Sequence, residues 1–146
     1  DIIDYGCGSG ILGIAALLLG AKKVTEIDID PQALTATHEN VTRNNIDKTR
    51  FPVYLPGAFK KLSNSVTASL DHTHQADLIV ANILAGPLVE LTRTLTAHVR
   101  VGGAICLSGI LAAQAETVTR AYSKHIKFEV AAEKEGWVRL AGLRYQ

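Results

Sequence analysis

Three alternate glycines near the start of the chain, Gly6, Gly8 and Gly10, follow a short apolar segment that ends with Asp4. Glycines at this spacing let the backbone pass close to a ligand, because a side chain there would occupy ligand volume. An apolar helical run and a second strand come next, and the acid Asp28 ends that strand. An acid about twenty residues past a glycine turn accepts hydrogen bonds from ribose hydroxyls. The pattern therefore predicts a site for a nucleoside-containing cofactor.

Two classes of cofactor use such an opening, dinucleotides such as NAD and S-adenosylmethionine. Gly8, Gly10 and Gly13 spell the dinucleotide pattern G-x-G-x-x-G, whereas Gly6, Gly8 and Gly10 spell G-x-G-x-G. In a dinucleotide site the first glycine makes the turn directly after the strand. Here Gly6 holds that position, so the dinucleotide register starts two residues late. Asp4 suits the cationic amino acid part of S-adenosylmethionine and would repel a pyrophosphate. These features favour S-adenosylmethionine.

Further polar residues stand at predicted strand ends. Asn82 ends the fourth predicted strand, at the carboxyl edge where doubly wound sheets bind ligands. Its amide can accept a hydrogen bond from an amine and aim the nitrogen lone pair at a methyl group; the alternative is a buried capping residue. Cys7 lies between the first two glycines. It is interpreted either as a small buried residue or as a residue that contacts the ligand. Asp4 has a structural role as its alternative, and Asp30 before Pro31 is interpreted as a helix cap.

The bulk composition excludes several classes of function. A net charge of +1 over 146 residues offers no basic surface for nucleic acid, so we expect no direct nucleic-acid binding. The longest apolar stretch, residues 11–19, is too short to span a bilayer. Two cysteines form no disulfide framework, which fits a reducing, cytoplasmic setting. The five histidines, His72 and His74 among them, are interpreted as solvated residues, and no metal site is expected. The abrupt start leads us to expect upstream sequence.

The spacing of apolar residues predicts an α/β fold. We expect a doubly wound, mostly parallel seven-stranded sheet with a C-terminal antiparallel hairpin, as a single domain over residues 1–146. Residues 57–75 are interpreted as a surface insertion with room for one helical turn. The predicted strands cover residues 1–5, 23–27, 51–55, 76–82, 104–108, 127–133 and 137–143. The predicted helices cover residues 11–19, 31 to about 44, 87–99 and 112–124.

Five sequence segments together resemble a known family. They are DYGCGSGILGIAA, EIDIDPQA, VANILAGPL, LSGIL and EKEGWVRL. The resemblance that they carry covers residues 1–143. The first segment is similar to class I S-adenosylmethionine-dependent methyltransferases in general. VANILAGPL and LSGIL narrow the resemblance to the family that methylates large-subunit ribosomal protein eleven, PrmA. The resemblance leads us to expect that family's upstream substrate-recognition domain and linker before residue 1, and it does not extend to residues 57–75.

The resemblance implies an enzyme that transfers methyl groups from S-adenosylmethionine to lysine side chains or the N-terminal amine of that ribosomal protein. It implies that Asn82 is catalytic and that Ile83 and Leu84 shape the substrate pocket. The expected cofactor-binding residues are Asp4, Gly6, Cys7, Gly8, Gly10, Asp28 and Asn82. The alternatives are a methyltransferase for another protein, a nucleic acid base or a small molecule, and a cofactor-binding module without activity. The strand continues Asn82-Ile83-Leu84 and so lacks the Asn-Pro-Pro-aromatic motif that favours base or glutamine nitrogens.

Overall fold

The computed structural model describes residues 1–66 and 75–146 of the chain. The chain divides into two compact units, Asp1–Gln75 and Ala76–Gln146. Residues 67–74 include His72 and His74 and part of the predicted insertion, so those expectations fall outside the described residues. Within the residues described, no helix is both long and apolar enough to cross a membrane.

The first unit alternates strands with helices. Its strands are parallel and lie in the order β3-β2-β1. The elements in chain order are β1 (Ile2–Tyr5), α1 (Ile11–Leu18), β2 (Val24–Ile27), α2 (Pro31–Arg43), β3 (Val53–Tyr54) and α3 (Pro56–Val66). Parallel strands connected through helices are βαβ units, so the predicted order of elements is confirmed here.

Apolar side chains at helical and strand spacing build the core of this unit. Its buried members are Ile14, Leu17, Val24, Val41 and Phe51. Burying each such side chain contributes about 1.5–3 kcal/mol relative to leaving it in water. This packing holds α1 and α2 to the strands, and so fixes the two turns that connect β1 with α1 and β2 with α2.

The start of α2 has the predicted cap. The Asp30 carboxylate accepts a hydrogen bond of 2.8 Å from the backbone N–H of Gln32, and Pro31 occupies the first helical position. A side-chain oxygen there satisfies an N–H group that has no partner within the helix. The interpretation of Asp30 as a helix cap is therefore confirmed.

The segment predicted as a poorly organised insertion contains more helix than expected. Helix α3 extends over Pro56–Val66, which is eleven residues rather than one turn. Phe59 is buried on it and its ring packs against Tyr54, with ring centroids 6.1 Å apart. The helical spacing of Phe59, Leu62 and Val66 was a signal for this helix, but the many Ser, Thr and Lys residues around it favoured an irregular segment in the sequence interpretation. The position of residues 57–75 as a surface insertion stays a prediction.

The second unit combines parallel and antiparallel strands, in the order β4-β5-β8-β6, with β7 also pairing with β8. Strands β4 and β5 are parallel, and β8 is antiparallel to its neighbours. The elements are β4 (Ala76–Asn82), α4 (Ala85–Glu90), α5 (Thr92–His98), β5 (Val99–Leu111), α6 (Ala115–Tyr122), β6 (Ile126–Phe128), β7 (Ala132–Lys134) and β8 (Trp137–Arg144). The predicted α/β class and the antiparallel C-terminal strands are confirmed.

Three predicted elements of the second unit need correction. The helix predicted over residues 87–99 is two helices, because Leu91 leaves helical geometry and the Thr92 hydroxyl donates to the Val89 carbonyl at 2.7 Å. The strand predicted over residues 104–108 is longer, because β5 begins at Val99 and continues through an irregularity of register near Gly102 and Gly103. The strand predicted over residues 127–133 is divided into β6 and β7, so the described residues form eight strands rather than seven. The turn at Glu135 and Gly136, both at positive φ, joins β7 to β8 as predicted.

Candidate functional site

The glycine loop, residues 6–10, connects β1 to α1. Gly6, Gly8 and Gly10 all have positive φ, at 83°, 56° and 76°. The backbone N–H groups of Gly6 and Cys7 both donate to the carbonyl of Ile27, at 2.7 and 3.1 Å. The loop is thus attached to the end of β2, and its conformation is one that side-chain-bearing residues rarely adopt.

Asp28 binds this loop to the turn after β2. Its Oδ2 accepts a hydrogen bond of 2.8 Å from the backbone N–H of Gly8, and its Oδ1 accepts one of 3.0 Å from the backbone N–H of Asp30. The residue is only partly buried, so each carboxylate oxygen keeps a lone pair that a ligand hydroxyl could use. The structure therefore brings Asp28 and Gly8 together, as the sequence predicted for one binding site.

Thr37 on α2 packs under the same loop. A Cβ added to Gly10 would lie 2.9 Å from Cγ2 of Thr37, so only glycine fits there without a shift. The Thr37 hydroxyl donates to the carbonyl of Gly8 at 3.0 Å. The Cys7 thiol lies 3.7 Å from the same Thr37 oxygen, within hydrogen-bonding distance. These contacts hold the loop from below.

The Cys7 side chain faces the interior rather than a ligand. It is buried, and burial, followed by the negative charge of Glu26, raises the pKa of its thiol well above the ordinary value. A thiol held neutral in this way is a poor nucleophile and packs as a small apolar group. Any contact of Cys7 with a cofactor therefore involves its backbone.

Asp4 lies beneath the glycine loop and faces a second buried acid. Asp4 on β1 is 1% exposed, and its register partner on β2, Glu26, is 0% exposed. Burial raises the pKa of Asp4 to about 6. Burial and then the negative charge of Asp4 raise the pKa of Glu26 to about 9. The expectation that Asp4 binds the cofactor remains a prediction, and a buried Asp4 would act from below the loop.

Gly13 makes room for this acid pair. It lies inside α1, and a Cβ there would overlap Oε1 of Glu26 and stand 3.0 Å from Cγ1 of Val24. Such an overlap excludes any side chain while Glu26 keeps its position. Gly13 therefore serves close packing of α1 against β2, and the positive-φ turn is made by Gly6, Gly8 and Gly10.

The other predicted residues belong to the second unit. Asn82 is the last residue of β4, is exposed, and stands opposite Ser108 of β5 in the parallel register. Its amide makes no hydrogen bond among the described residues, so it is not the buried cap considered as an alternative. Ile83 is partly buried, and Leu84, which precedes α4, is 67% exposed.

Gly109 packs against the turn that carries Asn82. Its φ is 80°, and a Cβ there would lie 2.5 Å from the carbonyl oxygen of Ile83 and 3.2 Å from Oδ1 of Asn82. It occupies an irregularity in the pairing of β5 with β8, between Leu107 and Ile110. Gly109 therefore lets two polar atoms at the end of β4 approach β5 closely.

The residues of the first unit fit a nucleoside-containing ligand that carries a positive charge. A Cβ at Gly8 would meet nothing within 4 Å, so the loop leaves space on that side for a ligand. Beneath the loop, Oδ1 of Asp4 is buried and has no hydrogen-bond partner. Among the described residues, no group of three His, Cys, Asp or Glu side chains is arranged to hold a metal ion.

Sequence reasoning missed three residues that contact the candidate site residues: Glu26 of β2, Thr37 of α2 and Gly109 of β5. A charged residue inside the short apolar strand VTEI was a signal for Glu26, since buried acids mark special sites. The LSGIL segment contained Gly109, but nothing in it indicates contact with Asn82. Thr37 had no signal, because a threonine at helical spacing is common on a packed face.

Comparison with known proteins gives a consistent result. Residues 1–144 match the family model described as ribosomal protein L11 methyltransferase (PrmA). The protein of that name from Pseudomonas paraeruginosa is 54% identical over 144 residues, which are 99% of this chain and 45% of the relative. The one from Saccharophagus degradans is 49% identical with the same coverage. The chain thus spans less than half the length of these curated relatives.

Solved structures agree in fold. The crystal structure of ribosomal protein L11 methylase from Lactobacillus delbrueckii subsp. bulgaricus superimposes with a TM-score of 0.79 at 34% identity, covering 99% of this chain and 70% of that one. A methyltransferase from Pyrococcus furiosus, at 15% identity and a TM-score of 0.73, shares the fold. The family resemblance in the sequence is therefore confirmed: the chain belongs to the ribosomal protein L11 methyltransferase family.

Proposed function

We propose that this chain binds S-adenosylmethionine and transfers its methyl group to amino groups of ribosomal protein L11 of the large subunit, on lysine side chains or the N-terminal amine. The observation that supports it is the glycine loop of a family member, held by Asp28 and open at Gly8. The chain covers 45% of the length of its relatives. Cofactor binding and docking of ribosomal protein L11 are therefore tested separately.

The cofactor contacts belong to the first unit in this proposal. Gly6, Gly8 and Gly10 present backbone to the ligand, with the backbone of Cys7 between them. The carboxylate of Asp28 accepts hydrogen bonds from ribose hydroxyls through its remaining lone pairs. Asp4 provides negative charge beneath the loop for the cationic amino acid part.

The amine contacts belong to the turn after β4. S-adenosylmethionine supplies a methyl group on positively charged sulfur, which is already reactive toward a neutral amine. Asn82 accepts an N–H of the amine through its Oδ1 and so orients the nitrogen lone pair. A lysine amine begins with a pKa near 10.4, and it loses its proton more readily beside apolar groups such as Leu84 and Ile83.

Binding and transfer are tested separately. Calorimetry with S-adenosylmethionine, S-adenosylhomocysteine and NAD should show binding of the first two in preference to NAD. Methyl transfer is then followed by mass spectrometry of purified L11, with the Pseudomonas paraeruginosa relative as positive control. Tighter binding of NAD than of S-adenosylmethionine would overturn the cofactor assignment.

The alternative readings give different outcomes in the same assays. A chain that binds the cofactor but leaves L11 unmethylated, while the relative methylates it, is a cofactor-binding module. Methylation of RNA or a small amine in preference to L11 would replace the proposed substrate.

A further inference from the structure

Two acids meet in the interior of the first unit without any basic partner. Asp4 and Glu26 are opposite each other on adjacent parallel strands, so their side chains point to the same face of the sheet. Both oxygens of Glu26 and Oδ1 of Asp4 are buried and have no hydrogen-bond partner. Such groups are rarely left unsatisfied in a folded protein.

The groups around the pair do not supply a positive charge. Asp28 adds a negative charge from the end of β2, and Cys7 of the loop is a neutral thiol. From α1 the pair meets the backbone of Gly13, whose N–H stabilises the ionised form of Asp4. From α2 it meets only the hydroxyl of Thr37, through Cys7. No Lys, Arg or His acts on the pair among the residues described.

Two buried carboxylates side by side repel each other, and neither can donate a hydrogen bond while both are ionised. One shared proton removes both problems, because a neutral carboxylic acid can donate to a carboxylate. The proton belongs on Glu26, because the backbone N–H of Gly13 stabilises the charge of Asp4, whereas the only donor near Glu26 is the weak Cys7 thiol and neither Glu26 oxygen has a hydrogen-bond partner.

We infer that Glu26 is a positioning residue that stays protonated at neutral pH and donates a hydrogen bond to the carboxylate of Asp4, so that the pair carries one negative charge beneath the cofactor loop. This inference rests on the proposed function, because Asp4 is the residue through which Glu26 acts on cofactor binding. When Glu26 loses its proton in alkaline solution, a second charge appears against Gly13 and the loop is displaced.

The protonation state is measured directly. Infrared spectra of protein with carboxyl-labelled glutamate should show a neutral carboxylic acid at about pH 7.5, because exposed glutamates are ionised there. The signal should disappear in Glu26→Gln and remain in Glu39→Gln, a control whose side chain is 59% exposed. Absence of the signal from the wild-type protein would overturn the inference, whatever the binding results.

The effect on the loop is measured by calorimetry with S-adenosylhomocysteine between about pH 7.5 and pH 10. Affinity should weaken by roughly tenfold more in the wild type and in Glu39→Gln than in Glu26→Gln, since each pH unit past a coupled titration is worth about tenfold. The ligand's own amine titrates equally in all three measurements. Identical pH profiles would overturn the positioning role. If the wild type binds no S-adenosylhomocysteine, the proposed function fails. The infrared spectra still show whether Glu26 is protonated.

Discussion

The carboxylate of Asp28 accepts a hydrogen bond from the backbone N–H of Gly8, with 2.8 Å between Oδ2 and nitrogen. The two residues are twenty positions apart in sequence, and this bond places the acid that we propose to bind ribose against the glycine loop. Preorganisation of this kind lowers the cost of ordering a site on binding.

Asp28→Ala should weaken cofactor binding more than Asp30→Ala does. Loss of a charge-assisted hydrogen bond to ribose should cost roughly 1.5–3 kcal/mol of binding free energy. Asp30→Ala removes a helix cap, which costs about 1 kcal/mol of folding stability instead. Calorimetry with S-adenosylmethionine and thermal unfolding of both variants check this. Equal affinities of two folded variants would contradict the assignment.

Gly8→Ala should reduce cofactor affinity by a large factor, because its methyl group would enter the open side of the loop. Gly20→Ala is the matched control, since Gly20 also has positive φ, 105°, and an added Cβ there likewise meets nothing within 4 Å. Both variants should lose about 1–2 kcal/mol of stability from the strained backbone. Calorimetry on the two proteins distinguishes a loss of affinity caused by overlap with the ligand from one caused by backbone strain. A similar loss of affinity in both would show that Gly8 does not border the cofactor.

Asn82→Ala should lower methyl transfer far more than cofactor affinity. An interaction that orients the amine acts on the transition state, and misplacement of the nucleophile costs about 100-fold in rate. Turnover on ribosomal protein L11 at saturating S-adenosylmethionine, together with calorimetry, checks the prediction. Wild-type turnover would remove Asn82 from the catalytic residues.

Gly109→Ala should disturb the turn that carries Asn82. The new methyl group would overlap the carbonyl of Ile83, so turnover should fall while the first unit keeps its cofactor contacts. Gly136→Ala is the control, because its φ is also 80° but an added Cβ meets nothing within 4 Å. Rates of methyl transfer for the two variants provide the comparison. A variant at Gly109 as active as the one at Gly136 would contradict the role.

Stability should fall as the pH rises from about 4 to 9, because Asp4 and Glu26 hold protons in the folded state that the unfolded chain has released. Their folded pKa values of about 6 and about 9 lie above the ordinary 3.8 and 4.5. Their contribution is therefore complete at acidic pH and is lost as the pH passes those values. Urea unfolding at several pH values should give a flatter profile for Glu26→Gln than for the wild type. If the free energy of unfolding of both proteins changed with pH in the same way, the role of Glu26 in this pH dependence would be contradicted.

Much of the first unit could be read from local pattern. Alternate glycines, the acid at Asp28 and the Asp30-Pro31 helix start are signals within a few residues, and each lies where its type predicted. The second unit was less predictable. The break at Leu91 accompanies a side-chain to backbone hydrogen bond that apolar spacing does not show, and the irregular register near Gly102 depends on the pairing of β5 with β4. The division between β6 and β7 depends likewise on how each segment pairs with β8.

The sequence by itself determined the family, the α/β class and the candidate residues. Glycine turns, helix caps and the spacing of apolar residues depend on residues close together in the chain, so they can be recognised without the structure. Only the tertiary structure decided what those residues touch. It set Glu26 against Asp4 and turned the Cys7 thiol inward to Thr37. It also placed Gly109 against Ile83. Strand register and helix packing bring these residues into contact. The spacing of residues in the sequence does not show which of them will be in contact.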